Sequence, residues 1–147
     1  MRGASFRIRE LRLSDYAALI ASWKEAGLPH RPKGRDARTS IARQLRSPTT
    51  VFLVAEIRGR LAGTVLGTHD GRKGWINRLA VAPEYRRRGV AAALVAEVER
   101  RLHRQGIDII AALIEDWNMT SMKAFRRLGY RPRRDIMYFV KRRKPEV

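Results

Sequence analysis

The sequence has no cysteine, 7% aromatic residues and 14 acidic side chains in 147 positions. The absence of cysteine excludes a disulfide framework, a zinc–cysteine centre and a thiol nucleophile. The three histidines, at 30, 69 and 103, have no ligand spacing between them, so no metal site is expected. No apolar run approaches the roughly 20 residues of a membrane span, and the opening MRGASFRIRE lacks the apolar segment of a secretory leader. The expectation is a soluble, cytoplasmic chain without a membrane partner.

Positive charge is abundant. The 32 Lys and Arg residues leave a net +18, which speaks to partners rather than to fold: nucleic acid, nucleotide phosphates, acidic protein surfaces or anionic lipid. The excess is uneven, since residues 121–147 hold ten basic and two acidic side chains and include the run Lys141, Arg142, Arg143, Lys144. With 44% hydrophobic residues, a chain of this length can build its own core, and one domain over residues 1–147 is expected.

Apolar periodicity gives the order of elements. Phe6 and Ile8 alternate with charged residues as in a short edge strand. Ser14 is placed to cap a helix carrying Tyr16, Ile20 and Trp23, which Gly27 and Pro29 stop. Residues 27–34 read as a loop, followed by a basic helix over about 36–46 with Ile41 and Leu45 inward. Strands are expected at 50–57, 61–68 and 75–82, joined by turns at Arg58-Gly59-Arg60 and Asp70-Gly71. Val90, Leu94, Val98 and Leu102 stripe a helix that opens near Gly89 and closes at Gly106. Residues 107–114 form the continuous apolar run of a strand covered on both faces. Met122, Phe125 and Leu128 mark a short helix closed by Gly129, and residues 136–140 a final strand. Strand 75–82, its helix and strand 107–114 make a right-handed crossover, so those two strands should be parallel in a mixed α/β fold.

The sharpest local signal runs from Trp75 to Leu94. A strand ends at Pro83, and after Glu84-Tyr85 three arginines and Gly89 open an amphipathic helix. The first turn of a helix has unpaired N–H groups and the positive end of the macrodipole, and small residues Ala91, Ala92 and Ala93 keep it accessible, so it suits an anion. A solvated arginine turn is the plain alternative. GxxxxGK[ST] is absent, as are the glycines of GxGxxG.

This segment resembles motif A of the GNAT superfamily of acyl-CoA-dependent N-acyltransferases, in which [RQ]-x-x-G-x-[GA] follows a strand. Here Arg86-x-x-Gly89-x-Ala91 follows Leu79-Ala80-Val81-Ala82-Pro83. Asn118, Phe125, Gly129 and Tyr130 fall at the spacings of a second family landmark, and residues 52–71 are similar to the family's hairpin. The resemblance implies an α/β fold with a central mixed sheet of six or seven strands, an antiparallel meander plus a parallel β-α-β crossover, and about four helices. It implies acetyl-CoA as acyl donor, a primary amine as acceptor and a homodimer as a common assembly. It further implies that the N–H groups of Arg87, Arg88, Gly89, Val90, Ala91 and Ala92, beside Arg86, hold the pyrophosphate. Leu79, Ala80 and Val81 would hold the pantetheine arm by their backbone, with Leu79 polarising the thioester carbonyl, while Asn118 and Phe125 line the arm's other side.

The chain departs from the family pattern at two catalytic positions. Phe125 stands where many members have a tyrosine that protonates the leaving thiolate, so it reads as a packing residue, and Tyr130 or Tyr138 becomes the candidate acid. Leu113 stands where some members have a catalytic glutamate. Glu115, two residues on, keeps the same strand face and is the candidate base, with an arginine-paired surface carboxylate as the alternative. Asp116 lies beside it. His69 and Asp70 fall in a turn, one of Asn77 and Arg78 should face the cleft, and His30 lies in the loop where members usually bind acceptor. Trp23 fits a core stripe, Trp75 packing at a strand start, and Trp117 either the acceptor cleft or a cap over the splayed strands.

The positive field should favour acceptors with negative charge nearby, such as acidic N-termini, amino acids or ribosome-bound protein. Two other functions fit the same sequence: a nucleic-acid- or ribosome-associated module acting through the basic tail, and an acyl-CoA sensor with weak catalysis. No helix-turn-helix or RNA-binding signature accompanies the first.

Overall fold

A computed structural model describes residues 5–147. Five strands form one sheet in the order β1-β2-β3-β4-β5: Arg7–Glu10, Thr50–Ile57, Arg60–His69, Gly74–Val81 and Ile110–Ala112. The first four make an antiparallel meander, and β4 and β5 are parallel. Helices α1 (Tyr16–Glu25) and α2 (Arg38–Leu45) join β1 to β2, α3 (Val90–Arg104) joins β4 to β5, and α4 (Met119–Arg127) follows. The mixed α/β sheet, the crossover and four α-helices are as expected; the strand number is not.

Strand β2 explains why a continuous apolar run can be a strand. Val51, Leu53 and Ala55 enter one core under α3, while Phe52 and Val54 enter a second core under α1 and α2. Both faces are covered, so no alternation with polar residues survives. The first core holds Val90, Leu94, Val95, Val98 and Leu102 of α3; the second holds Leu19 and Trp23 of α1 and Ile41 of α2. Helix α3 lies so close to β3 that a Cβ at Gly67 would stand 2.5 Å from Val98 Cγ1, so only glycine fits there. Between β2 and β3, Arg58 and Gly59 both adopt positive φ (49° and 78°), the geometry of a two-residue hairpin turn.

Four expectations are corrected. Residues 136–140 form no strand: Ile136, Met137, Tyr138, Phe139 and Val140 are exposed, and none of their backbone groups is paired among the described residues. A strand needs a ladder as well as β propensity, and β5 offers little of one. It contracts from the expected 107–114 to three residues because its pairing with β4 covers only Gly74–Ile110, Trp75–Ala111 and Ile76–Ala112. The sheet therefore has five strands rather than six or seven. At α1, Asp15 and not Ser14 organises the entry. A 3₁₀ turn, Leu13–Asp15, precedes the helix, and Asp15 Oδ2 accepts from the Arg12 N–H at 2.8 Å. No helix among the described residues is long and apolar enough to cross a membrane.

Candidate functional site

The site begins with an irregularity in β4. Thr64 pairs with Ala80 and Leu66 with Asn77, so two residues of β3 span three of β4. The extra residue is Arg78, whose φ is 55°. This is a β-bulge, and it shifts the side-chain alternation by one. Ile76 faces the α3 core before it; Leu79 and Val81 face that core after it, and Ala80 faces the other. Beyond Ile76, β4 has no partner on its β5 side, so the two parallel strands diverge and leave Leu79, Ala80 and Val81 with a free backbone edge. A free edge presents its N–H and C=O groups to any extended group laid along it.

At the end of that edge stands the N-terminus of α3. Gly89, its N-cap, adopts φ 78°, where an L side chain is strained, and no side chain caps the first turn. The first N–H groups of the helix are thus left for an external acceptor. Arg86, Arg87 and Arg88 are exposed around them. Arg86 Nε donates to the Val81 carbonyl at 3.2 Å, folding the turn back onto β4, and the Arg88 guanidinium lies 5.7 Å from the Tyr85 ring centre. Val90 is buried in the core, and Ala91 and Ala92 follow it in the first turn.

Past β5 the chain runs through residues 113–118 into α4. Asn118 caps α4, its Oδ1 accepting from the Ser121 N–H at 3.1 Å, which leaves its Nδ2 outside the cap. Phe125 is buried, 5.1 Å from the Tyr130 ring in an edge-to-face contact, in keeping with a packing role. The Tyr130 hydroxyl donates to Glu99 Oε2 at 3.2 Å. Burial, and then the charge of Glu99, push the Tyr130 phenol above its ordinary pKa. Tyr138 is exposed. Glu115 lies beyond the reach of strand alternation: β5 ends at Ala112, and Glu115 is an exposed loop residue whose carbonyl accepts from the Asn118 N–H at 2.9 Å. Among the described residues, its carboxylate joins no ion pair.

Sequence reasoning missed a network on the other face of the bulge. The Arg78 side chain turns away from α3 and bonds the carboxylate of Asp36 at 2.6 Å and the carbonyl of Pro29. Its guanidinium lies 4.7 Å from the Trp23 ring centre. Trp23 Nε1 donates to Thr64 Oγ1 at 2.9 Å, and Thr64 donates to the Arg78 carbonyl at 3.0 Å. Trp23, Thr64 and Asp36 are all buried. Burial lowers the Arg78 pKa, opposed by the charge of Asp36. The available signal was Asp36 itself, the only acid between Gly27 and Arg46. Of the two residues expected to compete for the cleft, Arg78 is therefore spoken for and Asn77 is exposed. His30 is half-buried in the α1–α2 loop and Trp117 is exposed. Asp70 is turn chemistry: its Oδ1 accepts from the Arg72 and Lys73 N–H groups, each at 2.8 Å, and these bonds lower its pKa. His69 Nε2 lies 2.7 Å from Gln105 Oε1.

Comparison with known proteins finds relatives over most of the chain. Residues 8–130 match the model of the acetyltransferase (GNAT) family. The chain is 34% identical over 136 residues to acetyltransferase plu1384 of Photorhabdus laumondii, covering 92% of this chain and 94% of that one. Among solved structures it is similar to the PaiA N-acetyltransferase of Thermoplasma acidophilum in complex with coenzyme A. The TM-score is 0.74 at 20% identity, over 84% of this chain and 87% of that chain. It is also similar to the aminoglycoside acetyltransferase AAC(6')-Iy bound to a CoA–acetylneamine bisubstrate analogue. There the TM-score is 0.79 at 20% identity, over 94% of this chain and 99% of that chain.

Proposed function

The chain belongs to the acetyltransferase (GNAT) family, and from that premise we propose that it moves an acetyl group from acetyl-CoA to a primary amine by direct attack in a ternary complex. One observation carries the reading: the uncapped N-terminus of a 15-residue helix adjoins the free edge of β4 where β4 and β5 part. An anion and an extended arm attached to it match those two features in order. The pyrophosphate takes the N–H groups from Arg87 to Ala92 and the charges of Arg86, Arg87 and Arg88. The pantetheine arm lies along Leu79, Ala80 and Val81, with the Asn118 amide on the far wall and Phe125 packing beneath.

The neutral amine nitrogen attacks the thioester carbonyl, and a backbone N–H at Leu79 stabilises the oxyanion. The C–N bond forms, the C–S bond breaks, and coenzyme A leaves as a thiolate. The nitrogen loses its proton to water or, through it, to Glu115, which has its place here as the exposed carboxylate three residues before Asn118 and not through strand alternation. Phe125 has no proton to give, so the thiolate takes one from solvent; Tyr130 is the protein alternative, its hydroxyl engaged by Glu99. Most of the rate gain then comes from holding the two reactants together and from the oxyanion contact.

A calorimetric titration with acetyl-CoA at near-physiological salt tests the reading. Saturable one-site binding that is lost in Gly89→Glu is expected, because a carboxylate there repels the pyrophosphate. Absence of saturable binding by the unaltered protein overturns it.

A further inference from the structure

We propose that the loop between α1 and α2 is a charge filter which selects acceptor amines carrying a carboxylate or phosphate and rejects polycationic ones. The proposal rests on the acetyl-transfer reading above and assigns its substrate class. Residues 27–46 contain the basic side chains Arg31, Lys33, Arg35, Arg38, Arg43 and Arg46 together with His30, and one acid, Asp36. That acid is withdrawn from the surface. It is 4% exposed, and Oδ2 is occupied by Arg78 at 2.6 Å and by the Arg31 N–H at 2.7 Å. What the loop shows to solvent is therefore positive: Arg31, Lys33, Arg35 and Arg38 are exposed.

The loop is fixed where that charge matters. Arg78, which holds Asp36 and the Pro29 carbonyl, immediately precedes Leu79, the first residue of the free β4 edge. The charge of Arg35 is close enough to Arg78 to act against its protonation. The chain's other basic run is brought to the same loop. A Cβ on Gly34 would stand 2.9 Å from the Glu146 carbonyl and 3.3 Å from Val147 Cα, so the segment after Lys141, Arg142, Arg143 and Lys144 lies against the loop's tip. Glu146 is the one acid that segment contributes. An amine approaching the Leu79 carbonyl site from the side away from the α3 N-terminus thus crosses a rim in which cations outnumber anions. A charged rim acts on encounter and on KM, is weakened by salt, and costs most for ligands of like sign.

The test compares two fluorescent tetrapeptides of equal length, one beginning with Glu and one with Lys, with glutamate, O-phosphoethanolamine and kanamycin as further acceptors. At low salt the acidic peptide should have the higher kcat/KM, by about tenfold, through KM. Glutamate and O-phosphoethanolamine distinguish carboxylate from phosphate as the anion preferred, and either above kanamycin supports the filter. In Lys33→Glu/Arg35→Glu the acidic-to-basic ratio should fall at least about fivefold, with kcat and acetyl-CoA affinity unchanged. Preference of the unaltered protein for the basic peptide or kanamycin, or an unchanged ratio in the double variant, overturns the proposal. Equilibrium anisotropy of the same peptides gives a readout independent of turnover. If acetyl-CoA does not bind, the acetyl-transfer reading falls, and equal binding of the two peptides overturns the filter separately.

Discussion

The hydroxyl of Tyr130 donates to Glu99 Oε2 across 3.2 Å, tying the chain just after α4 to the middle of α3. Because that proton is committed to Glu99, Tyr130→Phe should lower stability by about 1 kcal/mol, read by urea unfolding, while the transfer rate falls less than about threefold. The folded-state phenol is raised above its unfolded value, so its contribution to stability is complete below the ordinary tyrosine pKa and is lost as pH rises through the folded one. The variant should therefore lose stability less steeply above about pH 10. A hundredfold loss of kcat instead would make Tyr130 the acid.

Asp15 takes a fork from Arg9, at 2.8 and 3.0 Å, and a third bond from the Arg12 N–H. The Arg9 bonds hold the carboxyl below its ordinary pKa. With a lowered folded value, the stabilisation is present above the unfolded pKa and disappears as pH falls through the folded one. Asp15→Asn should cost about 1–2 kcal/mol at pH 7 and flatten the loss of stability below about pH 4, measured by thermal unfolding across pH.

Gly67 faces Val98 with no room for a methyl group. Gly67→Ala should destabilise by about 1–3 kcal/mol. The cost of Gly67→Ala/Val98→Ala should fall short of the sum of the two single costs by more than about 0.5 kcal/mol, the coupling a shared contact produces. Additive costs would place the strain elsewhere.

Gly89 has open space around a Cβ but φ of 78°. Gly89→Ala should therefore cost about 1 kcal/mol of stability and leave acetyl-CoA binding measurable, weakened less than about tenfold. Loss of binding in Gly89→Ala as complete as in Gly89→Glu would mean that backbone conformation, not charge at the helix N-terminus, controls the site.

Arg78→Ala leaves the Asp36 carboxylate buried without its cation, and should cost about 3 kcal/mol. Removing both charges in Arg78→Ala/Asp36→Ala should recover part of that cost. Hydrogen exchange should speed up in residues 28–37 before it does in β4. Uniform acceleration would mean the pair holds the sheet rather than the loop.

The elements most legible in the sequence were those whose signal is local. The β-branched run of β2 predicts its bounds to the residue, and the four-residue stripe of α3 predicts that helix within a turn. The Gly89 turn was equally local, since its glycine and arginines are contiguous. Residues 136–140 misled because they have strand composition, while a strand also needs an edge of matching length. At Glu115 only the alternation fails, for a related reason: period two holds as far as the strand does, and β5 stops at Ala112. The Arg78 network was out of reach because Trp23, Asp36, Thr64 and Arg78 are far apart in the chain and meet only through the sheet. Nothing in the string INRLAV announces an extra residue.

That extra residue has a consequence for chain length. Thr64 and Leu66 are two positions apart, and their partners Asn77 and Ala80 are three apart. Excising Arg78 alone would leave every other β3–β4 pair opposite its present partner and every other β4 side chain on its present face. The β3–β4 pairing is complete without it, so position 78 serves something other than the regularity of the sheet. What would go with it is the fastening of the α1–α2 loop.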